Sequence, residues 1–187
     1  WEQLPNGRLV WTSGFYPGIL WYMYGLDHEK KWEEEAIKRT EVFEEYKDIT
    51  EHHDIGFMMF PAFGLGYEIG GMKEYKDILL TSAASLATRY NPNVGTIRSW
   101  SNQMHPRWQQ HITIIDNMLN LELLFWASKH GGGPVYYDIA VKHAETTIKN
   151  HFRPDSTSWH VIEYDSITGK VLNRNTKQGY ADDSRWS

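Results

Sequence analysis

From Glu29 onward the chain keeps returning to one pattern, in which apolar residues recur every three to four positions with charges between them. In EKKWEEEAIKRTEVFEEYK, residues 29–47, Trp32, Ala36, Phe43 and Tyr46 fall on one stripe, as on a surface helix with a single buried face. After Asp54, Ile55, Met58, Met59 and Ala62 share a face; Pro61 marks a kink or a boundary there, and Gly64, Gly66, Gly70 and Gly71 weaken the end. EYKDILLTSAASLATRYNP aligns Tyr75, Ile78, Leu79, Ala83, Leu86 and Tyr90 and stops at Asn91 and Pro92. DNMLNLELLFWASKHGGG opens on an Asp-Asn cap signal and ends in glycines, and VYYDIAVKHAETTIKNHF is a further amphipathic run. Beyond it, WHVIEYD and GKVLNRN flank SIT as paired extended segments do. Successive amphipathic helices must bury their apolar faces against one another. The expected fold is therefore all-α, a helical bundle or a toroidal α/α barrel, with a small β-hairpin near 159–174.

The helices alternate with irregular stretches rich in Trp, His, Asn and Gly. GTIRSWSNQMHPRWQQHIT, residues 95–113, is long for a connection inside a compact domain, which favours a functional loop. Nine Trp, eleven Tyr and seven Phe raise the aromatic content to 14%. A flat ring beside polar side chains suits a sugar, whose C–H face stacks on it while its hydroxyls find hydrogen bonds; an aromatic-rich core is the competing explanation. The net charge of −5 comes from interspersed acids and bases without a basic stripe, so nucleic acid is not an expected partner. No run approaches the roughly 18 apolar residues of a membrane span, and no membrane partner is expected. The absence of cysteine excludes disulfides and thiolate zinc sites but does not locate the protein in a compartment. With 41% apolar residues in 187, the chain can fill a sizeable core and is expected to form one or at most two domains.

Two acidic residues stand out. In EHHDIGFMMF, Asp54 follows His52 and His53 at the mouth of an oily run, and it can be read as a helix cap, a metal ligand or a reacting carboxylate. Adjacent residues rarely converge on one ion and no HExxH is present, so no metal is expected. A GxSxG elbow is also missing. Capping remains open for Asp54, because its carboxylate can accept from the free amides of a first turn. The same holds for Asp116, yet Asp116 also sits between Ile114, Ile115 and a strongly apolar run. Desolvation there would raise its pKa and suit a proton donor. As a pair, the two aspartates suggest two-carboxylate sugar chemistry.

WTSGFYPGILWYMYG, HHDIGFM, the RSW loop, IIDNMLNLELLFWA, SWHVIEYDSITGKV and QGYADDSRW follow one another in an order that resembles the unsaturated glucuronyl hydrolases, glycoside hydrolases that act after polysaccharide lyases. The resemblance covers essentially the whole chain. It implies that residues 1–187 are a single domain, the N-terminal part of a six-fold (α/α) barrel, the rest of the ring following beyond residue 187 from an Arg-Gly-Gln segment. The implied substrate and partner is an oligosaccharide ending in a 4,5-unsaturated uronic acid, and the implied reaction is hydration of its C4=C5 enol ether without a cofactor. By the same resemblance Asp116 is the acid/base, and Asp54 holds ring hydroxyls and tunes Asp116 through like-charge coupling. His160 and Gln178 are implied as polar pocket residues and Trp100 as the stacking ring, exposed on its loop, with His53 and Trp11 as further pocket residues. Two alternatives remain: an unsaturated rhamnogalacturonyl hydrolase, against which HHDIGFM and QGYADDS argue, and an inactive carbohydrate-binding fragment that kept the aromatic platform.

Overall fold

The computed structural model describes residues 10–100, 107–177 and 181–184. Its first element lies ahead of the periodic stretches. Helix α1 (Phe15–Asp27) buries Pro17, Gly18, Leu20 and Trp21 while Ile19, Tyr22 and Leu26 stay exposed. A helix that is apolar on both faces shows no 3.6-residue stripe, which is why periodicity passes over it. His28 closes it in the left-handed conformation, its amide donating to the Tyr24 carbonyl at 2.8 Å. Helix α2 (Lys30–Glu41) packs along α1, and the indole of buried Trp21 donates to Thr40 Oγ1 at 3.0 Å. The helix is shorter than its periodic stretch. Past Glu41 the chain tightens into a 3-10 turn, Glu44–Tyr46, with Phe43 fully buried beside it.

Helices α3 (Ile55–Met59) and α4 (Leu65–Glu68) form one run through a wide π-type turn, Phe60–Gly64. Pro61 lacks the amide that an α-helical ladder requires, and the widened turn absorbs that loss without ending the run. Helix α5 (Tyr75–Ala87) adds Leu79, Ala83 and Leu86 to the core. A 3-10 turn, Ile115–Asn120, leads into α6 (Leu121–Ala127), and Gly131 and Gly133 at φ 99° and 96° turn the chain into α7 (Pro134–His151). One large hydrophobic core joins α1 to α7 through Trp21, Met58, Phe63, Leu79, Leu124 and Ala140.

The expected hairpin is present, as β4 (Val161–Tyr164) and β5 (Val171–Asn175), but it belongs to a larger sheet. The 95–113 stretch is not wholly irregular: β1 (Tyr90–Asn91) pairs with β2 (Thr96–Ile97), and β3 (His111–Ile114) joins the hairpin in the order β3-β4-β5, all antiparallel. Central strand β4 is buried at all four positions. Its register sets Ile114 across from Val161, and beyond the strand the Ile115 amide donates to the His160 carbonyl at 3.0 Å. Helix α7 packs against β2 and β4, where His143 Nδ1 accepts from the Ile97 amide at 3.0 Å. His143, Thr147 and His151 are buried on one face of α7, and His143 Nε2, Thr147 Oγ1 and His151 Nε2 have no hydrogen-bond partner.

Candidate active site

Asp54 occupies the N-cap position of α3, yet its side chain makes no capping hydrogen bond. The carboxylate turns instead to the two histidines before it, with Oδ1 3.2 Å from His53 Nε2 and Oδ2 3.5 Å from His52 Nδ1. Burial pushes its pKa up to about 6, against the pull of the Arg89 guanidinium. Asp116, unlike Asp54, does not occupy a cap position. It lies inside the 3-10 turn that continues β3, whose N-cap is Ile114. Its Oδ1 is buried without a hydrogen-bond partner. Burial, and after it the negative charge of Asp54, pushes the Asp116 pKa up to about 7, with the amides of Asn117 and Asp116 itself opposing.

The segments carrying the two aspartates are locked together beneath the surface. Asn117 and Asn120 are three apart, so a 3-10 turn stacks them on one side, and both are fully buried. Asn117 contacts His53 Nδ1 at 2.7 Å and Asn120 Nδ2 at 2.9 Å through Oδ1, and its Nδ2 donates to the Ile97 carbonyl and Ser99 Oγ, both at 2.8 Å. Asn120 Oδ1 accepts from the Phe57 amide at 3.3 Å. The approach requires glycine at position 56, where any Cβ would collide with Asn120. Arg89 ties the loop before Asp54 to the same block: it donates to the carbonyls of Thr50, Arg98 (2.8 Å) and Ser99 (2.9 Å).

A cavity of about 510 Å³ opens over this block. Trp11 stands edge-on to Phe57 at 6.2 Å, and Phe57 edge-on to His53 at 6.2 Å. Trp100 meets His160 at 90° and 6.5 Å and leans on fully buried Trp108 at 5.2 Å; the Trp108 indole donates to Asn175 Oδ1 at 3.1 Å. Trp100 is thus half-buried, not the exposed loop ring that its sequence setting suggests, because Trp108 from the same long stretch folds beneath it. His160 is buried, with Nδ1 3.1 Å from Thr176 Oγ1, and burial with the nearby Lys177 charge pushes its pKa down. Lys177 Nζ lies 4.6 Å from the Trp100 ring centre. Ile114, Ile115 and Leu119 form the apolar patch around Asp116.

Of the sequence candidates, Asp54, Asp116, His53, His160, Trp100 and Trp11 line this one cavity, and Gln178 lies outside the described residues. Sequence reasoning missed Lys177, Phe57, Arg89 and the Asn117–Asn120 pair. The only advance signal was two asparagines at three-residue spacing inside an apolar run. A larger cavity of about 600 Å³, beside Arg153, Trp159 and Arg174, is lined by neither aspartate. Among the described residues no group of three or more His, Asp or Glu side chains is placed to hold a metal ion. A carboxyl with a pKa near neutral, an open cavity and flat rings together allow proton donation to a bound sugar and proton recovery from water.

No family model matches the chain. The unsaturated glucuronyl hydrolase of Formosa agariphila is 43% identical over 178 residues, which are 95% of this chain and 44% of that protein. The unsaturated chondroitin disaccharide hydrolase of Streptococcus pneumoniae is 34% identical over 180 residues, 95% of this chain and 45% of the relative. The crystal structure of an unsaturated glucuronyl hydrolase specific for heparin superposes with a TM-score of 0.89 at 44% identity, over 98% of this chain and 50% of the other. The chain spans about half the length of the relatives it matches. Its helices and small antiparallel sheets are part of an (α/α) barrel.

Proposed function

Because the chain belongs to the unsaturated glucuronyl hydrolase family, we propose that the Asp54–Asp116 cavity is the reaction centre of a glycoside hydrolase acting on 4,5-unsaturated uronic acids at the ends of lyase-generated oligosaccharides. One observation carries the reading: Asp116, with its pKa pushed up to about 7 and an unpartnered buried oxygen, faces the same cavity as a second carboxylate and two tryptophans. A surface that only bound sugar would have no use for a carboxyl held at neutrality. The chondroitin and heparin substrates named for the relatives favour a glycosaminoglycan-derived end over a pectin-derived one. In this reading the 187 residues are one unit of the ring, and helices outside them complete it.

Protonated Asp116 delivers its proton to C4 of the enol ether, and the positive charge that develops at C5 is shared with the ring oxygen. The Asp116 carboxylate then takes a proton from water as the water oxygen bonds to C5. The resulting hemiketal opens to a ketone at C5, leaving a hemiacetal at C1 whose collapse expels the remaining sugar. One water is consumed, and Asp116 ends protonated as it began. Asp54 holds ring hydroxyls, Trp100 and Trp11 receive the apolar sugar face, His160 and Gln178 hold its polar edge, and His53 lines the pocket behind Asp54. Proton donation and a positioned water supply this chemistry without a cofactor. The reaction is tested in heavy water with the full-length enzyme: the product should carry one deuterium at C4, and the ultraviolet absorbance of the conjugated double bond should fall in step with sugar release. Rapid cleavage of saturated glucuronides, or product lacking deuterium at C4, overturns the mechanism.

A further inference from the structure

The network beneath the aspartates has directions that can be read from its backbone ends. The Phe57 amide can only donate, so the Asn120 atom facing it is Oδ1, and Asn120 Nδ2 is left to donate to Asn117. The Ile97 carbonyl can only accept, so the Asn117 atom facing it is Nδ2. Asn117 Oδ1 is then an acceptor, and His53 Nδ1, 2.7 Å away, must carry the hydrogen. His53, Ser99, Asn117 and Asn120 are all buried, so water does not offer a different set of partners. A neutral imidazole with its hydrogen on Nδ1 has a lone pair on Nε2, and Nε2 faces Asp54 Oδ1 at 3.2 Å.

We propose that Asn117 is a positioning residue: by fixing His53 as the Nδ1–H tautomer it makes Nε2 an acceptor, so that the Asp54 carboxyl keeps a proton and donates it to His53. The inference rests on the reading of Asp116 as proton donor and assigns its neighbour a protonation state. The groups facing Asp54 are His53, His52 at 3.5 Å, Arg89 and Asp116. Arg89 favours the carboxylate, whereas burial favours the acid and is the larger influence. Burial also holds His53 neutral, its pKa pushed down to about 3. With Asp54 uncharged, Asp116 alternates between acid and base without an anion beside it, and an anionic uronate enters past one negative charge fewer. Burial, the larger cause, then still raises the Asp116 pKa, though less far than with the Asp54 charge beside it.

The test is the nitrogen NMR spectrum of the histidine-labelled full-length protein, with the His53 signals identified by their disappearance in His53→Gln. The expected result at about pH 5, below the Asp54 pKa of about 6 and above the His53 pKa of about 3, is a pyrrole-type Nδ1 and a pyridine-type Nε2. An Nε2–H tautomer, or an imidazolium with two pyrrole-type nitrogens, overturns the inference, and this readout does not require Asn117→Ala to fold. In Asn117→Ala, His53 should populate both tautomers and kcat should fall by roughly 10²-fold with KM little changed, the scale of a misplaced reacting group. A kcat loss with the tautomer unchanged marks Asn117 as merely structural and also overturns it. Failure of the underlying reading is seen separately, as an active Asp116→Asn enzyme.

Discussion

Burial acts with opposite outcomes on two sets of ionisable groups in this fold. At the cavity it pushes Asp54 up to about 6 and Asp116 up to about 7, so that the carboxyls hold their protons to higher pH. Around the inward face of α7 it pushes His111 and His143 to about 3 and His151 to about 4, so that imidazoles go without them. The force is the same, the removal of water from a charge. The settings differ. His143 and His151 are sealed in, His143 on the Ile97 amide and His151 Nδ1 donating to the Trp159 carbonyl at 3.1 Å, while His111, nearly buried with Nε2 2.9 Å from Thr96 Oγ1, only edges a separate cleft. The aspartates line an open cavity. A shifted pKa with access marks chemistry, whereas a shifted pKa without access marks a stability that depends on pH.

The two regions therefore respond to pH with opposite signs. Asp116 binds its proton more tightly folded than unfolded, so its contribution to stability is full below the ordinary 3.8 and is lost as pH rises toward about 7. The histidines bind protons less tightly when folded. Their contribution is full above the ordinary 6.5 and is lost as pH falls toward about 3.

The largest expected effect is that of Asp116→Asn in the full-length enzyme. Turnover should fall by more than the roughly 10²–10⁴-fold of a single acid-base contribution, since donor and acceptor roles share one group. The same variant should melt higher than wild type at about pH 8, with the gain fading toward about pH 4. Near-normal turnover removes Asp116 from the chemistry, and a pH-independent gain erases the contrast between the regions. Next comes His143→Leu, which strips the Ile97 amide of its acceptor and should cost about 1–3 kcal/mol at neutral pH. Urea unfolding across pH should show the acid-side slope flattened by about one proton, with turnover falling far less than in Asp116→Asn. An unchanged slope would mean that His143 is not held neutral. The smallest effect is that of Trp100→Ala, whose lost stacking of about 0.5–1.5 kcal/mol should raise KM by about tenfold at most. If stability instead drops by the ~3–5 kcal/mol of an emptied core site while KM stays put, Trp100 belongs to the core and not to the cavity.

Helices with one apolar face were legible in the sequence: α2, α5, α6 and α7 lie within the periodic stretches. Helix α1 was hidden because Ile19, Tyr22 and Leu26 make its outer face as oily as its inner one. Pro61 looked like a kink or boundary because sequence spacing cannot announce a π-type turn. Strand β3 stayed inside an apparent loop, since its partner β4 comes from far along the chain and pairing at that range leaves no local trace. Desolvation of Asp116 could be read from Ile114 and Ile115. The bond that seats His160 beside it, from the Ile115 amide, could not, and neither could the buried roles of Asn117 and Asn120, whose positions resemble ordinary polar sites on a helix.

At Gly56 the absent side chain sets how near the two acidic segments can come. With nothing between the α3 backbone and Asn120, the segments bearing Asp54 and Asp116 pack in direct contact. The spacing of the two carboxyls thus depends on how closely position 56 approaches Asn120. A single methyl group at position 56 would detune both carboxyls at once.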